Sequence, residues 1–471
     1  MSAADTVAAQ DAPPVVRDAG SAWQAFGVLA IGVFLSVLDV FIVNIAFPAI
    51  HASFPTASLS SLSWILSGYA IVYAAVLVPA GKLADIVGRK RVFLGGLVVF
   101  LVGSALCAAA PSVEFLIGAR VLQAVGGAAL IPTSLGLILP LFQPQKRPVV
   151  IGLWAALAGV GAAAGPAIGG LLVEASWRWI FLINLPLGIF ALVRTAQVIP
   201  EIRDPERGRF PDVLGSLLLI GGVMSLTLGL VKGPDWSWDS RSLGGFAAST
   251  VLLALFTVRS ARHPAPVVEL PLLRPPPFAL SALASLLFFA AFAVLLLANV
   301  LFLTNVWGYS VTRAGFAFLP GPLTAALVAG VSGRLGARFG SARVGAPGGL
   351  LFAFASLWFV TRVGGEPHYL SEYLPGTVLG GIGVGLVLPA LTALATSTLP
   401  PARLATGIGV QTTFRQIGAA LGLAAFVAIA GGSALATKSD FDGAWLFMAA
   451  ASAAAGAALL PLVPLRPRPV A

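Results

Sequence analysis

The chain has 471 residues, of which 58% are hydrophobic and 10% are charged. Soluble globular domains carry about 25% charged residues, so this composition excludes a soluble protein and indicates a polytopic membrane protein. The formal charge of +10 does not indicate nucleic-acid binding, because the basic residues are spread between apolar segments instead of being gathered on one domain. Cys107 is the only cysteine, which excludes an intrachain disulfide.

A helix that crosses the hydrocarbon core of a bilayer needs about 20 mostly apolar residues. The sequence therefore predicts an all-α protein with fourteen membrane-spanning helices after a polar tail at 1–22. The predicted spans are 26–50, 63–80, 92–110, 115–139, 149–172, 179–199, 213–231, 243–258, 278–303, 314–332, 345–361, 374–399, 405–431 and 444–464. The shortest span, 243–258, is kept because without it all the following loops would lie on the wrong side of the membrane.

The basic residues distinguish the two sides of this map, since loops rich in Lys and Arg stay in the cytoplasm. Of the 28 Lys and Arg residues, two fall inside spans, six lie in one set of connections, and twenty lie in the other set, which includes both termini. The six are Arg178, Lys232, Arg241, Arg313, Arg362 and Lys438. Both termini are therefore predicted to be cytoplasmic. The composition, rich in Ala, Gly and Arg, favours a bacterial source and hence the inner membrane.

The chain also repeats itself. The loop at 81–91 (GKLADIVGRKR) is matched 252 residues later by the loop at 333–343 (GRLGARFGSAR). A second set of matches has an offset of 257 and pairs Gly126 with Gly383 and Gly161 with Gly418. The sequence thus predicts two copies of a six-helix unit, at 23–200 and 266–471, with an inserted helix pair at 201–265. Two six-helix halves with a substrate site between them are a recurrent design of transporters.

The fifth span is rich in small residues: Gly152, Gly161, Gly165, Pro166, Gly169 and Gly170. Glycine costs about 1 kcal/mol and proline about 3 kcal/mol in a helix relative to alanine. A spanning helix keeps them where another helix packs closely or where it bends. A packing face alone would account for the cluster. Its spacing, however, resembles at every position the antiporter motif of exporters of the major facilitator superfamily. The resemblance implies export by exchange, and we expect Gly165 to lie where the two halves approach each other.

Other segments carry the same resemblance. The loop at 81–91 is similar to the superfamily's signature between helices 2 and 3, which implies gating roles for Gly81, Asp85, Gly88, Arg89 and Lys90. Asp85 is expected to cap the following turn or a neighbouring helix; Ile86 stands where the family usually has arginine. Residues 38–48 (LDVFIVNIAFP), 120–126 (RVLQAVG) and 177–186 (WRWIFLINLP) resemble signatures of the fourteen-helix drug:proton antiporters. Phe41 and Ala124 depart from the usual threonine and glycine of those signatures.

Charged residues within spans are candidates for function. Asp39 alone among the 18 acidic residues lies deep in an apolar span, where a charge costs about 2.5–3.5 kcal/mol. A carboxyl group held between burial and a nearby arginine can exchange a proton in each cycle. The alternatives are a static ion pair with Arg120 or a hydrogen bond to Asn44. Arg120 either forms that structural pair or expels the proton when substrate leaves. Arg415 is predicted to reach the first half, to neutralise an anionic substrate group, or to extend to the inner face.

The predicted substrate cavity combines aromatic and polar side chains. Its members are Asn44, Tyr69, Tyr73, Gln123, Phe292, Gln411 and Arg415. Core packing is the alternative explanation for the tyrosines, one helical turn apart, and for the Phe288, Phe289 and Phe292 cluster. The three histidines fall in loops and predict no metal site.

The hypothesis from the sequence is a monomeric, proton-coupled antiporter that exports hydrophobic drugs or natural products by alternating access. Its expected partners are the substrate, protons and membrane lipid, with no nucleic acid and no cofactor besides the proton gradient. A proton-coupled uptake symporter is the alternative, which the complete antiporter motif argues against. An enzyme is not predicted, because the spans contain no pair of deep carboxylates, no H-E-x-x-H and no G-x-S-x-G. With one deep acid, rigid dications are predicted to be poor substrates.

Overall fold

The computed structural model describes residues 19–143, 146–202, 210, 212–399, 404–430 and 435–463, without several side chains between 147 and 163 and those of 404–406. All regular secondary structure in these ranges is helical. The all-α prediction is therefore confirmed. The predicted tail at 1–22 falls largely outside the described residues, as do 203–209 in the connection that follows the first six helices.

The described residues form fourteen principal helices. They are α1 (Ala19–Ser53), α2 (Leu59–Val87), α3 (Arg89–Ala108), α4 (Val113–Ile138), α5 (Arg147–Ala175), α6 (Asn184–Val198), α7 (Val213–Lys232), α8 (Ser240–Arg262), α9 (Pro276–Leu301), α10 (Pro320–Phe339), α11 (Ser341–Arg362), α12 (Leu374–Thr396), α13 (Leu404–Ala430) and α14 (Ser439–Leu459). Thirteen of the corresponding described segments are long and apolar enough to cross a membrane. The fourteenth, α5, has 29 residues. These helices match the fourteen predicted spans in order and position.

Short helical pieces extend three of these helices. Trp179–Leu182 leads into α6, Val311–Phe318 leads into α10, and a π-helical turn at Phe302–Val306 continues α9. Ser310 begins the segment before α10 by accepting a hydrogen bond from the backbone N–H of Arg313 at 3.2 Å. Serine at this position satisfies a backbone donor that has no partner within the helix.

Glycines set the closest helix crossings, and the crossings repeat. A Cβ atom at Gly126 on α4 would lie 2.5 Å from the carbonyl oxygen of Gly96 and 2.3 Å from the backbone nitrogen of Phe100 on α3. On α12, a Cβ atom at Gly383 would lie 2.8 Å from the carbonyl oxygen of Gly348 and 2.9 Å from the backbone nitrogen of Phe352. The two crossings are related by the offsets of 252 and 257 found in the sequence. The exact boundaries of the two halves stay a prediction.

Helices α1–α6 and α9–α14 contact each other at several places, including two seams that contain hydrogen bonds. In the first, the hydroxyl of Thr413 on α13 donates to the carbonyl oxygen of Ala74 on α2 at 3.0 Å, and Gly409 faces Val78. In the second, Thr312 donates to the carbonyl oxygen of Gly170 on α5 at 2.8 Å. The predicted inserted pair packs beside the first seam, where α7 contacts both α2 and α13.

Candidate functional site

Asp39 lies in the middle of α1, and its side chain is fully buried. One carboxylate oxygen, Oδ2, forms an ion pair with Nη1 of Arg120 on α4. The other, Oδ1, accepts a hydrogen bond of 2.9 Å from Nε2 of Gln123, one turn further along α4. Both oxygens are therefore held by α4. The predicted hydrogen bond from Asn44 is absent, since the Asn44 amide donates to the carbonyl oxygen of Val40 at 2.7 Å.

The buried Arg120 side chain also contacts an amide oxygen, a backbone carbonyl and an aromatic ring. Its Nη1 also donates to Oε1 of Gln123 at 2.7 Å, and its Nε donates to the carbonyl oxygen of Ile65 on α2 at 3.3 Å. The guanidinium carbon lies 4.0 Å from the centroid of the Tyr69 ring, within the range of a cation–π contact. The Tyr73 ring stacks on Tyr69 at 5.7 Å. The pair of tyrosines thus covers Arg120 in this structure, and neither ring is open to a cavity.

A further polar layer supports this charge cluster. Ser104 on α3 accepts hydrogen bonds from Gln123 Nε2 at 3.2 Å and from Asn184 Nδ2 at 2.8 Å, and it donates to the carbonyl oxygen of Phe181 at 2.9 Å. Asn184 and Phe181 belong to the segment 177–186, which the sequence marks as a signature. Ser104 is a site residue that sequence reasoning missed, because a single serine in an apolar span carries no charge and no spacing signal.

Protonation of Asp39 would change the net charge of this cluster. With Asp39 ionised, the Asp39–Arg120 pair is neutral as a whole and its hydrogen bonds are satisfied, which is what burial of charge requires. When Asp39 takes up a proton, Arg120 becomes a buried cation without a counterion. Such a buried cation without a counterion would destabilise the contact between α1 and α4.

The glycines of α5 form the surface on which this part of α1 packs. Added Cβ atoms at Gly161, Gly165 and Gly169 would lie 2.9 Å from Val37, 2.7 Å from Phe41 and 2.8 Å from Ile42, respectively. The expectation that Gly165 meets the other half is therefore wrong for this structure. The glycine side of α5 is turned toward α1 of the same six helices, directly beside Asp39.

The contact of α5 with the second half is made at its C-terminal end. An added Cβ at Gly170 would lie 2.9 Å from Cα of Thr312, and one at Gly315 would lie 2.4 Å from the carbonyl oxygen of Pro166. Gly152 lies in the part of α5 where its surroundings are not described. The small residues of α5 thus pack against α1 along most of the motif and against the segment Val311–Phe318 near the end of α5.

Arg415 lies on α13, between α9 and α12, and apart from the residues that bind Asp39. Its Nη2 donates to the hydroxyl of Thr392 on α12 at 2.8 Å, and its guanidinium carbon lies 5.4 Å from the Phe289 ring centroid on α9. The predicted reach into the first half is not observed. The Arg415 side chain has no acidic partner among the described residues.

The other predicted cavity residues are divided in their exposure. Gln123, buried in the charge cluster, and Gln411, which donates to the carbonyl oxygen of Ser281 at 3.1 Å, are both almost completely buried. Phe292 is half-buried and lies 6.1 Å from Phe41 of α1, ring centroid to ring centroid. The structure therefore brings Asp39, Arg120, Gln123, Tyr69 and Tyr73 together, whereas Phe292 and Arg415 lie apart from them and are half-buried.

The signature loop is ordered by an acid that the sequence did not indicate. Arg89 pairs with Asp85 at 3.0 Å and donates to the carbonyl oxygen of Gly136 on α4 at 3.0 Å. The backbone N–H of Lys90, in the first turn of α3, donates to Glu201 at 3.0 Å. Glu201, and not Asp85, therefore caps α3, since a carboxylate at a helix N-terminus satisfies free backbone donors. Gly88 (φ +121°) lies against the Glu201 carboxylate. A Cβ atom added at Gly81 would lie 3.4 Å from Cβ of Pro132.

Among the described residues, no group of three or more His, Cys, Asp or Glu side chains is placed to hold a metal ion.

Comparison with known proteins gives consistent results. A family model of the Major Facilitator Superfamily matches residues 29–423 and 282–471. The chain is 36% identical to the tetracenomycin C resistance and export protein of Streptomyces glaucescens, over 86% of this chain and 75% of that protein. It is 35% identical to the multidrug resistance protein Stp of Mycobacterium tuberculosis, over 84% of this chain and 73% of that protein.

Solved structures agree with the fold. The transporter PepTSo of the POT family superimposes with a TM-score of 0.68 at 17% identity, covering 94% of this chain and 97% of that chain. At this identity the match shows the fold, and it confirms the architecture that the sequence resemblance implied.

Proposed function

Because the chain belongs to the major facilitator superfamily, we propose that it is a proton-coupled antiporter that exports hydrophobic small molecules, either drugs or natural products. As a member of this superfamily of transporters it is not an enzyme. Export is supported by the names of two relatives, a tetracenomycin C resistance and export protein and a multidrug resistance protein. Their specific compounds are not assigned to this chain.

The observation that carries the proposal is the buried carboxylate of Asp39 in the middle of α1, which contacts Arg120 and Gln123 beside the glycine face of α5. Asp39 is the proton carrier. Its protonation removes the counterion of Arg120, and α1 loses its ion pair with α4. The glycines of α5 allow α1 to pack closely there, since small residues at an interface let helix backbones approach each other.

Alternating access follows from the same arrangement. A shift of α1 relative to α4 and α5 changes the contacts that the two halves make at the end of α5. Substrate release on the outer side is followed by protonation of Asp39, and loss of the proton to the cytoplasm restores the Asp39–Arg120 pair. The energy comes from the proton gradient. We also propose that the protein is a monomer in the bacterial inner membrane. The distribution of basic residues supports a cytoplasmic position for both termini.

The test uses the purified protein in proteoliposomes with an imposed pH difference and a panel of neutral, monocationic and monoanionic fluorescent aromatic compounds. We expect at least one compound to accumulate above the level in protein-free liposomes when the interior is more acidic than the exterior, because proton efflux then drives uptake by exchange. Protein-dependent accumulation with an alkaline interior would instead show symport and would contradict the antiport proposal.

The variant Asp39→Asn should lose gradient-driven accumulation at least about tenfold while still exchanging labelled for unlabelled substrate, since an amide keeps the volume but cannot carry the proton. Asp235→Asn is the matched control, because Asp235 is exposed and pairs with Lys232 at 3.1 Å. Uphill transport by Asp39→Asn at the wild-type rate would show that the proton is carried elsewhere.

A further inference from the structure

We infer that the substrate is a flat aromatic compound with one negative charge, whose rings lie along three phenylalanines and whose anionic group binds Arg415. The inference rests on the export function proposed above and specifies the class of compound exported.

The three phenylalanines form a continuous strip that crosses from the first half to the second. Phe41 on α1 lies 6.1 Å from Phe292 on α9, and Phe292 lies 5.8 Å from Phe289, between ring centroids. All three side chains are half-buried, whereas Phe288 behind them is fully buried. Aromatic rings gain from offset or edge-to-face contacts with other rings, so this strip suits a flat aromatic compound.

The strip ends at a cation that has few partners. The Arg415 guanidinium lies 5.4 Å from the Phe289 centroid. Of its donors, Nη2 binds the Thr392 hydroxyl, while Nε is buried without a hydrogen-bond partner among the described residues. A guanidinium presents five donors in a planar fork that fits a carboxylate or phenolate. Arg120, by contrast, already has a carboxylate, an amide oxygen and a backbone carbonyl as partners.

The charge balance favours a monoanion. In the described helices, the ionisable acidic and basic side chains at least seven residues from both helix ends are Asp39, Arg120 and Arg415. The first two neutralise each other, which leaves the positive charge of Arg415. A monoanionic ligand brings the loaded site to neutrality, whereas a cation would leave two uncompensated positive charges in a medium where each is costly.

The position of the cation is also suitable for export. Thr392, the partner of Arg415, lies one turn before the end of α12, on the predicted cytoplasmic side. A compound that enters from the cytoplasm therefore meets the guanidinium first and the aromatic strip beyond it.

Binding is tested without a proton gradient, on the purified full-length protein in detergent at pH 7. The probes are anthracene-2-carboxylate, its methyl ester and a trimethylammonium anthracene, followed by fluorescence. We expect the wild type to bind the carboxylate at least about tenfold more tightly than the ester, since a charge-assisted hydrogen bond in a buried site is worth at least that factor. The cation should bind less tightly than the ester.

Arg415→Gln should remove the preference for the carboxylate while changing affinity for the ester less than about twofold. Arg415→Lys should retain part of the preference, because the charge remains. Arg362→Gln is the matched control, since Arg362 also lies over an aromatic ring, that of Trp358 at 5.6 Å, but at a helix end. Equal loss of carboxylate and ester binding in Arg415→Gln, or tighter binding of the cation by the wild type, would overturn the inference.

The same probes distinguish this inference from the proposed function. If the carboxylate preference depends on Arg415 but no probe accumulates under a pH gradient, the binding site is supported and the antiport proposal fails. If a probe accumulates under the gradient without regard to Arg415 or to its charge, antiport is supported and the substrate class inferred here is wrong.

Discussion

At the scale of single residues, Gln123 explains how a buried ion pair is kept neutral and satisfied. An amide donates and accepts at once, so Gln123 can bind the carboxylate of Asp39 through Nε2 and the guanidinium of Arg120 through Oε1. A carboxylate at this position would add charge, and an aliphatic side chain would leave both partners with unused groups. Gln123 was predicted as part of a cavity wall; in the structure it links the two charged residues.

Ser104 provides the first prediction. Ser104→Ala removes the acceptor used by both Gln123 and Asn184, and a buried donor left without a partner costs about 1–3 kcal/mol. We expect lower thermal stability and at least a severalfold lower rate of proton-driven transport. Unfolding can be followed by reaction of Cys107 with a fluorescent thiol reagent, because this only cysteine is fully buried in the native protein.

The control comes from the internal repeat. Ser356 lies 252 residues after Ser104 and is equally buried, but its hydroxyl donates to the carbonyl oxygen of Phe352 in its own helix. Ser356→Ala should therefore change stability and transport little. If Ser104→Ala behaved like Ser356→Ala, the polar layer around Ser104 would not support the site.

The residues of the site differ in how far the sequence could predict them. Asp39, Arg120 and Arg415 stand out because charges are costly inside a membrane, and this cost needs no knowledge of the fold. Glu201 and Ser104 do not stand out, since an acid in a loop and a serine in a span are common. Their roles arise from contacts with residues more than 70 positions away in the chain.

At the scale of helices, the repeated glycine crossings show how two helix pairs acquire the same geometry from different sequences. In both α3–α4 and α11–α12, a glycine faces the backbone nitrogen of a phenylalanine and the carbonyl oxygen of a second glycine. The backbones meet so closely that no side chain fits between them. Weak sequence similarity is sufficient to maintain the packing when the retained residues are those at the crossing.

Alanine substitutions at these glycines test this account. Gly126→Ala places a Cβ atom 2.3 Å from the backbone of α3, and Gly383→Ala places one 2.8 Å from that of α11. Overpacking costs about 1–3 kcal/mol or more, so both variants should unfold at lower temperature, Gly126→Ala more so. Cys107 reactivity again reports unfolding.

Gly118 on the same helix is the matched control. An added Cβ there meets nothing within 4 Å, and alanine is favoured over glycine in a helix by about 1 kcal/mol. Gly118→Ala should therefore leave stability unchanged or raise it. Equal effects at Gly118 and Gly126 would mean that helix propensity, and not the crossing, sets the outcome.

The positions of the helices followed from the sequence, but the neighbours of each helix face did not. Apolar length alone located the spans, because the bilayer sets that length. The glycines of α5 indicate a close approach without naming the partner. Gly165 was expected at the junction of the two halves and lies against α1, since any helix with a suitable surface can occupy a glycine face.

At the scale of the whole molecule, the two sets of six helices contact each other at several separate places. They include the α2–α13 seam around Ala74 and Thr413 and the end of α5, where Thr312 binds Gly170 and Glu174. The second contact lies on the side predicted to be external. It must open if substrate is to leave there.

The contact between the halves at the end of α5 provides a further prediction. Thr312 donates to a carboxylate oxygen of Glu174 at 2.7 Å, so cysteines at both positions can be joined by a short, reducible thiol cross-linker. In Glu174→Cys/Thr312→Cys, cross-linking should abolish transport, because the halves can no longer separate on that side, and a reductant should restore it. Each single variant treated with the same reagent should transport normally.

A membrane-impermeant cross-linker applied to intact cells tests the orientation in the same experiment. The joined peptide, identified by mass spectrometry, should form from outside, since the basic residues place this end of α5 on the external side. Native Cys107 is fully buried and should not react. Full transport by a completely cross-linked protein would show that the contact between α5 and Thr312 does not need to open, and that substrate leaves by another route than separation of the two halves.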